Sequence, residues 1–338
     1  MKKNQDSPQL GIDVSKFKLD VVLLLPTGTH AATFANTTKG FAALARWLAS
    51  LHASPRVCLE ATGTYGLPVA RFLHARGLAV SIVNPLAVHF FARTRMSRNK
   101  TDAHDATLIA LYAQQHQPRA WQPPTPAKEQ LQHLVRAREQ LLESRVTSLQ
   151  HLESAPTATA KFFRAQVRCL NRQILALEKQ LAEAVQADPS LKAAVALLTT
   201  IPGVGLVTAV TVLAIMPQMD QLQSARQLAA FAGLTPSQRQ SGLFTGRSHL
   251  SKLGHRRLRK ALYFPALAAL RYNQRVQTLA IRLAQKGKSK MVIVGAAMRL
   301  LTHLIFGVLK HQTPFDPHYQ NKGSHRAATS LQLAPGGG

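Results

Sequence analysis

Four carboxylates stand out by where they fall. Asp13 lies in Gly-Ile-Asp-Val-Ser on a β-rich run, and Glu60 ends a second apolar run in Leu-Glu-Ala-Thr-Gly-Thr-Tyr. Asp102 and Asp105 are three apart at the start of a helical pattern, so their side chains share one face at an end where negative charge is tolerated. Between Val21 and Lys128 there are only three acids, Glu60, Asp102 and Asp105, against 11 Lys and Arg. Survivors in so acid-poor a stretch need a local reason. Brought together, the four would repel one another and raise their own pKa values. A hard divalent ion resolves that repulsion, which points to Mg²⁺ or Mn²⁺ on oxygen ligands. Two such ions about 4 Å apart would clamp the attacking and leaving oxygens of a phosphodiester. Taken singly, each acid is better read as a cap or as surface. The joint reading rests on their placement at strand ends and on one helical face. Zinc is disfavoured, because the histidines are scattered and Cys58 and Cys169 lie far apart.

The elements that must carry these acids follow from the pattern. Gln9–Val14 and Asp20–Leu25 read as a hairpin about the polar turn Ser15–Lys18, with Ala31–Asn36 as a third strand. Thr37–Ser50 has Phe41, Leu44, Trp47 and Leu48 at helical spacing, capped by Thr37 or Thr38. A strand Arg56–Ala61, a helix Val69–Ala75, a strand Ala79–Val83, a helix after Pro85 and a helix Asp102–Gln115 complete a mixed α/β sheet domain over residues 1–117. The proline-rich Gln117–Lys128 reads as a linker. Two long helical patterns follow. The second places Phe163, Val167, Leu170, Ile174, Leu177, Leu181 and Val185 on a near-heptad seam, so residues 118–190 are expected to be a linker and a coiled coil or helical hairpin. That pair is either a dimerisation arm or an intrachain hairpin. Residues 191–315 are predominantly helical, and Thr200–Gly205 sits between two apolar helices. This turn is either a helix-hairpin-helix offering backbone N–H groups to a phosphate or a tight helix connection. Residues 316–338 have the composition of a mobile tail.

At 338 residues the length suits two or three domains, and 46% hydrophobic residues allow packed cores. Lys plus Arg is 42 and Asp plus Glu 15, a formal charge of +27. That excess argues against an ordinary metabolic enzyme and for a polyanionic partner. From Gln221 to Phe315 there are no acids against 16 Lys and Arg, an electrostatic footprint for nucleic acid whose binding falls with salt. No apolar run reaches the roughly 20 residues of a membrane span, and no secretory signal is expected from the first residues. Two cysteines without a framework fit a reducing cytoplasm.

GIDVSK around Asp13, EATGTY around Glu60 and NKTDAHDA around Asp102 and Asp105 resemble the Asp-Glu-Asp-Asp signature of one transposase group. It is the insertion-sequence family numbered one hundred and ten, to which the Piv DNA invertases are related. The resemblance continues through FANTTKGF, VNP at Val83–Pro85 and FAGLTP…SG…SKLGHRRLRKALY, to about Phe315. It implies an RNase H-like, RuvC-like N-terminal domain. It also implies a serine nucleophile in a Ser-Gly context, matched here by Ser241 of Gln240-Ser241-Gly242. The residues alone do not single out Ser241 over Ser237, Ser248 or Ser251 in the Ser-, Gly- and Arg-rich stretch Thr235–His249. Arg239, Arg247 and Lys252 are placed to hold a phosphate near it. Ser251 is expected to cap a helix through Leu253, Leu258 and Leu262, whose Arg256, Arg257, Arg259 and Lys260 face nucleic acid.

The resemblance implies recombination by serine attack on phosphorus, a covalent phosphoserine link, Mg²⁺ at the acids, and a structured bridge RNA that pairs with donor and target DNA. Two duplexes imply a dimer or tetramer, and the compartment is the bacterial cytoplasm, at the nucleoid. Two other functions remain open. One is a Holliday-junction resolvase-like nuclease that uses water. The other is a non-catalytic RNA/DNA-binding scaffold.

Overall fold

The computed structural model describes residues 7–95 apart from 62 and 64, and residues 102–319 apart from 238, 239, 242, 243 and 246–248; the side chains at 102, 103, 240, 241, 244 and 245 are outside that description. The chain forms two compact units, Met1–Pro123 and Pro124–Gly338.

In the first unit, β1 (Gln9–Val14), β2 (Lys18–Leu25) and β3 (Gly28–Ala35) form an antiparallel meander. They are followed by α1 (Thr38–Ser50), β4 (Arg56–Glu60), α2 (Leu67–His74), β5 (Val80–Val83), α3 (Pro85–Thr94) and α4 (Asp102–His116). The sheet order is β3-β2-β1-β4-β5, with β4 parallel to β1 and β5 parallel to β4. This is the mixed sheet expected from the strand-rich start and the later alternation. Period-2 patterning separates its faces. Leu10, Ile12, Val14, Val57 and Leu59 pack with Phe41, Leu44 and Leu48 of α1 and Val69, Ala70 and Leu73 of α2. On the other face, Cys58 and Val83 pack with Val88 and Phe91 of α3 and with Leu108, Ile109 and Ala113 of α4. Thr37 caps α1, its side chain accepting from the Gly40 N–H, and Asn84 caps α3 through the Leu86 N–H.

The linker begins later than the proline count suggests. Ser81 Oγ donates to the Pro118 carbonyl (3.0 Å) and the Trp121 N–H donates to the Val80 carbonyl (2.6 Å). Residues 118–123 are thus fastened along β5, and the boundary falls at Pro123–Pro124.

The second unit opens with the long pair α5 (Pro126–Ser154) and α6 (Thr157–Ala187). This is an intrachain helical hairpin, held in part by Arg138, whose Nη2 lies 2.6 Å from Glu178 Oε1. The predicted seam of α6 is buried at Leu170, Ile174, Leu181 and Val185. On α5, by contrast, Val146 and Leu149 are exposed. Residues 118–190 are not a body of their own. Leu131, Val135, Leu181 and Val185, at the base of the hairpin, share one apolar core with the helices that follow.

Those helices are α7 (Pro189–Thr199), α8 (Leu206–Ile215), α9 (Ala225–Phe231), α10 (Arg256–Ala261), α11 (Tyr263–Tyr272), α12 (Gln274–Gln285) and α13 (Lys290–His311). By length and composition α13 could cross a membrane, since an 18-residue window in it has a mean hydropathy of 2.0, although Arg299 and His303 interrupt its apolar run. Its apolar window is 61% buried in this unit, as befits a central core helix. In the turn between α7 and α8, Gly203 has φ +101° and a Cβ there would lie 2.8 Å from the Pro265 carbonyl oxygen. Part of the turn is therefore committed to packing on α11, while open space surrounds Gly205.

Between α9 and α10 the stretch expected as a loop is a nested β-hairpin. Here β6 (Pro236–Ser237) pairs with β9 (His249–Leu250), and β7 (Gln240–Ser241) pairs with β8 (Phe244–Thr245). Ser251 does not cap α10. The helix starts at Arg256 and its cap is His255, whose Nδ1 accepts from the Leu258 N–H (3.3 Å). Of the predicted tail, residues 320–338 lie outside the described residues.

Candidate active site

The positions of three of the four carboxylates follow from sheet register and one close approach. In the parallel β1–β4 ladder, Gly11 is opposite Cys58 and Ile12 opposite Leu59. One step further along both strands come Asp13 and Glu60, neighbours on the face that carries α3 and α4. The sequence offered one unused signal, a glycine inside a strand, which marks close backbone approach. A Cβ at Gly11 would lie 2.1 Å from the Ala106 carbonyl oxygen and 2.5 Å from the Ala110 nitrogen. Only hydrogen at this position lets α4 settle against β1. Asp105, beside Ala106, is thereby carried to the edge where Asp13 stands two residues after Gly11. Asp102 begins α4 one turn earlier, and its side chain is outside the described set.

Electrostatics report the same gathering. Glu60 is half-buried and its carboxyl is raised above the ordinary range, first by burial and then by the negative charges of Asp13 and Asp105. A fifth acid, Asp20, lies opposite Asp13 in the β1–β2 register, but it is already satisfied. Lys18 Nζ is 3.0 Å away and Thr33 Oγ1 donates to it at 2.7 Å. Cys58, on the same face, is fully buried with its thiol pushed up to about 12. It is an inert core residue and neither a ligand nor a nucleophile.

Among the described residues, no three His, Cys, Asp or Glu side chains are set to ligate one ion. That finding and the field on Glu60 concern different ranges. Ionic fields act over roughly 8–10 Å, whereas Mg²⁺ coordination needs about 2 Å. The chemistry of the donor set fits a hard cation, since it is all carboxylate and mutually repelling. Asp102 is the fourth candidate ligand.

The second predicted site lies in the other unit. Ser241 sits in β7, paired with Phe244 of β8; its side chain, together with Arg239 and Arg247, lies outside the described residues. Lys252 and Arg256 are exposed. The other cations of this stretch have intramolecular partners. Arg257 Nε donates to Glu139 Oε2 (2.5 Å), and Lys260 Nζ donates to Glu143 Oε1 (2.9 Å). The Lys260 hydrogen bond holds the Glu143 carboxyl below its usual range. Arg259 Nη1 donates to the carbonyls of Ala232 (3.0 Å) and Lys252 (3.2 Å), tying the hairpin's flanks to α10. Beside these cations, burial and then Arg257 and Arg259 lower the pKa of His255, which keeps the capping ring neutral.

Comparisons with known proteins agree along the chain. A family model described as a transposase, of the DEDD type of IS110, matches residues 10–158. A second, described as a transposase of the IS116/IS110/IS902 family, matches residues 195–280. The pilin gene-inverting protein of Moraxella bovis is 32% identical over 313 residues, 91% of this chain and 97% of that protein. The transposase for insertion sequence element IS1111A of Coxiella burnetii is 26% identical over 225 residues, 58% of this chain and 61% of that protein. Among solved structures, T. thermophilus RuvC in complex with a Holliday junction substrate aligns with 34% of this chain and 99% of its own, at 13% identity and a TM-score of 0.28, a likeness too weak to argue from. The near end-to-end match to the inverting protein and the two family models place the enzyme with the transposases and DNA invertases, and the chain belongs to the IS110 family.

Proposed function

We propose that the chain recombines DNA by serine attack on phosphorus, with Asp13, Glu60, Asp102 and Asp105 holding Mg²⁺ and a structured RNA choosing the sites. What supports this reading is that Asp13 and Glu60 follow one another across the β1–β4 register and that a half-buried Glu60 feels the charges of Asp13 and Asp105. Such a grouping is costly for the protein without a cation, and useful for a polyanionic substrate with one. The strand order β3-β2-β1-β4-β5 supports an RNase H-like, RuvC-like reading of the first unit.

When bound, Mg²⁺ polarises the scissile phosphate and offsets charge that develops there. The protein's own groups do the rest. The Ser241 oxygen forms a bond to phosphorus and yields its proton to a base. The P–O3′ bond breaks, and the O3′ leaving group takes up a proton. The resulting phosphoserine link keeps the bond energy for religation to a new O3′ without an external energy source. Lys252 and Arg256, with Arg239 and Arg247, contribute positive charge around this serine. The open side of the turn at Gly205 supports the helix-hairpin-helix reading, with backbone N–H groups turned to a phosphate. Sequence choice by an RNA leaves the protein to read backbone and shape, which suits a charge of +27. Two duplexes call for a dimer or tetramer, and the exposed distal face of the α5–α6 hairpin at Val146 and Leu149 is a surface such an assembly would use. The site of action is the bacterial nucleoid, in the cytoplasm.

The test supplies donor and target DNA with the element's non-coding RNA and Mg²⁺, and looks for an SDS-resistant protein–DNA adduct. The adduct forms with wild type, disappears with Ser241→Ala, and slows by about 10²-fold or more with Asp105→Asn. Cleavage without any adduct would instead assign the reaction to water, as in a resolvase. Normal recombination by Ser241→Ala would refute the serine assignment.

A further inference from the structure

Two exposed aromatic rings lie on the loops that leave the acid-bearing strand ends. Phe17 is 76% exposed in the β1–β2 turn, which starts just after Asp13. Tyr65 is 46% exposed in the loop that follows Glu60. What sets these two apart from the other exposed apolar side chains is their place, on the loops that leave the ends of β1 and β4.

Neither ring is on a loose tether. Ser15 closes the Phe17 turn, its N–H donating to the Lys18 carbonyl (3.0 Å) and its Oγ accepting from the Lys18 N–H (3.1 Å). A single residue then joins both loops. The Asn36 N–H donates to the Phe17 carbonyl (2.9 Å), and Asn36 Nδ2 donates to the carbonyls of Ser15 (2.8 Å) and Tyr65 (3.2 Å). Three carbonyls from two loops meet on one asparagine, which fixes the two aromatic positions relative to each other and to the strand ends. Lys16 Nζ stands 5.0 Å from the Phe17 ring centroid, adding a phosphate-seeking charge beside the ring.

We propose that Phe17 and Tyr65, aligned by Asn36, are a stacking platform for unpaired bases of the DNA strand whose phosphodiester enters the carboxylate edge. The inference rests on the nucleic-acid reading above and adds to it how the strand is gripped. Aromatic faces with adjacent cations bind unpaired bases without sequence preference, which suits an enzyme whose sequence choice lies elsewhere. A stacked base beside the acids also holds the neighbouring phosphate in register. Phe17 and Tyr65 are then strand-gripping residues, and Asn36 is a positioning residue.

The full-length protein is tested in Ca²⁺, to suppress cleavage, by fluorescence anisotropy with a short DNA single strand, its duplex and the matching RNA strand. Base stacking is read separately from quenching of 2-aminopurine in the DNA strand. Phe17→Ala and Tyr65→Ala each weaken single-stranded DNA binding by about 5- to 100-fold and relieve the quenching, while duplex affinity is unchanged. Phe17→Trp retains both signals, and Asn36→Ala loses part of the quenching although it removes no ring. Unchanged single-strand affinity in both alanine variants would overturn the platform, as would a loss confined to RNA or full retention by Phe17→Leu. If the wild type bound no nucleic acid at all, the functional reading would fall together with the platform; binding that ignores the rings removes the platform alone.

Discussion

Gly11→Ala is the sharpest probe of how the site is assembled. The added methyl meets the Ala106 carbonyl oxygen at 2.1 Å, the Ala110 nitrogen at 2.5 Å and the Ala110 Cβ at 2.9 Å. Ordinary contact needs about 3.5 Å, and both nearest obstacles are backbone, so no side-chain rotation relieves the clash. Helix α4 must retreat from β1 by about 1 Å or more. Overpacking of this kind costs about 1–3 kcal/mol or more, a fall of about 10 °C in Tm for a domain of this size. The functional loss should exceed the loss of stability. The same helix carries Asp102 and Asp105 while β1 carries Asp13, and a 1 Å misplacement at a reacting centre costs about 10²-fold in rate. Differential scanning calorimetry and single-turnover DNA cleavage, run well below the variant's Tm, separate the two effects. A folded variant that cleaves at the wild-type rate would refute the argument that the Gly11–Ala106 approach positions the carboxylates.

Three further predictions follow from the site and its surroundings. The raised carboxyl of Glu60 is protonated more readily folded than unfolded, so its contribution to stability is present below the ordinary value of 4.5 and is lost as pH rises through its folded pKa. Metal-free Glu60→Gln should therefore have a higher Tm than wild type at neutral pH, the gap closing in acid, as a series of melts in EDTA from pH 3 to pH 8 would record. In the half-buried Arg257–Glu139 pair, Arg257→Ala should cost about 1–2 kcal/mol, and a double-mutant cycle with Glu139→Gln should return most of it as coupling. Nucleic-acid affinity should fall steeply between low and physiological salt, with log K losing about 0.9 per decade of salt for each duplex phosphate neutralised; a flat response would count against the basic footprint.

Much of the first unit was legible because its signals are local. β-rich runs with turn residues marked the meander, and helical spacing marked α1. Acid scarcity drew attention to Glu60 and Asp105, and the charge of Asp105 is felt by Glu60; the side chain of Asp102 lies outside the described residues. The α6 seam was legible for the same reason, each apolar residue standing at its own helical spacing. What sequence missed depends on residues far apart in the chain. The role of Gly11 needs Ala106 and Ala110 opposite it. The pairing of Arg257 and Lys260 needs Glu139 and Glu143, 118 and 117 positions away, so a run of cations read as a nucleic-acid face is partly a helix-to-helix clamp. The β-hairpin holding Ser241 lacks apolar alternation and looked like a loop. Ser251 was the orthodox cap by residue type, yet the hydrogen bonds of Ser251 and Lys252 to the segment around Gly233 hold the chain out of helix until His255. Trp121 fastened half of an apparent linker to β5.

The central claim is that the carboxylates at the edge of β1, β4 and α4 hold a divalent ion against a phosphodiester. Anomalous diffraction from crystals grown with Mn²⁺ and a DNA substrate tests it most directly. The account predicts a manganese peak bounded by oxygens of Asp13, Glu60 and Asp105, with Asp102 completing the set. Manganese bound elsewhere, with these side chains turned away from the DNA, would contradict it.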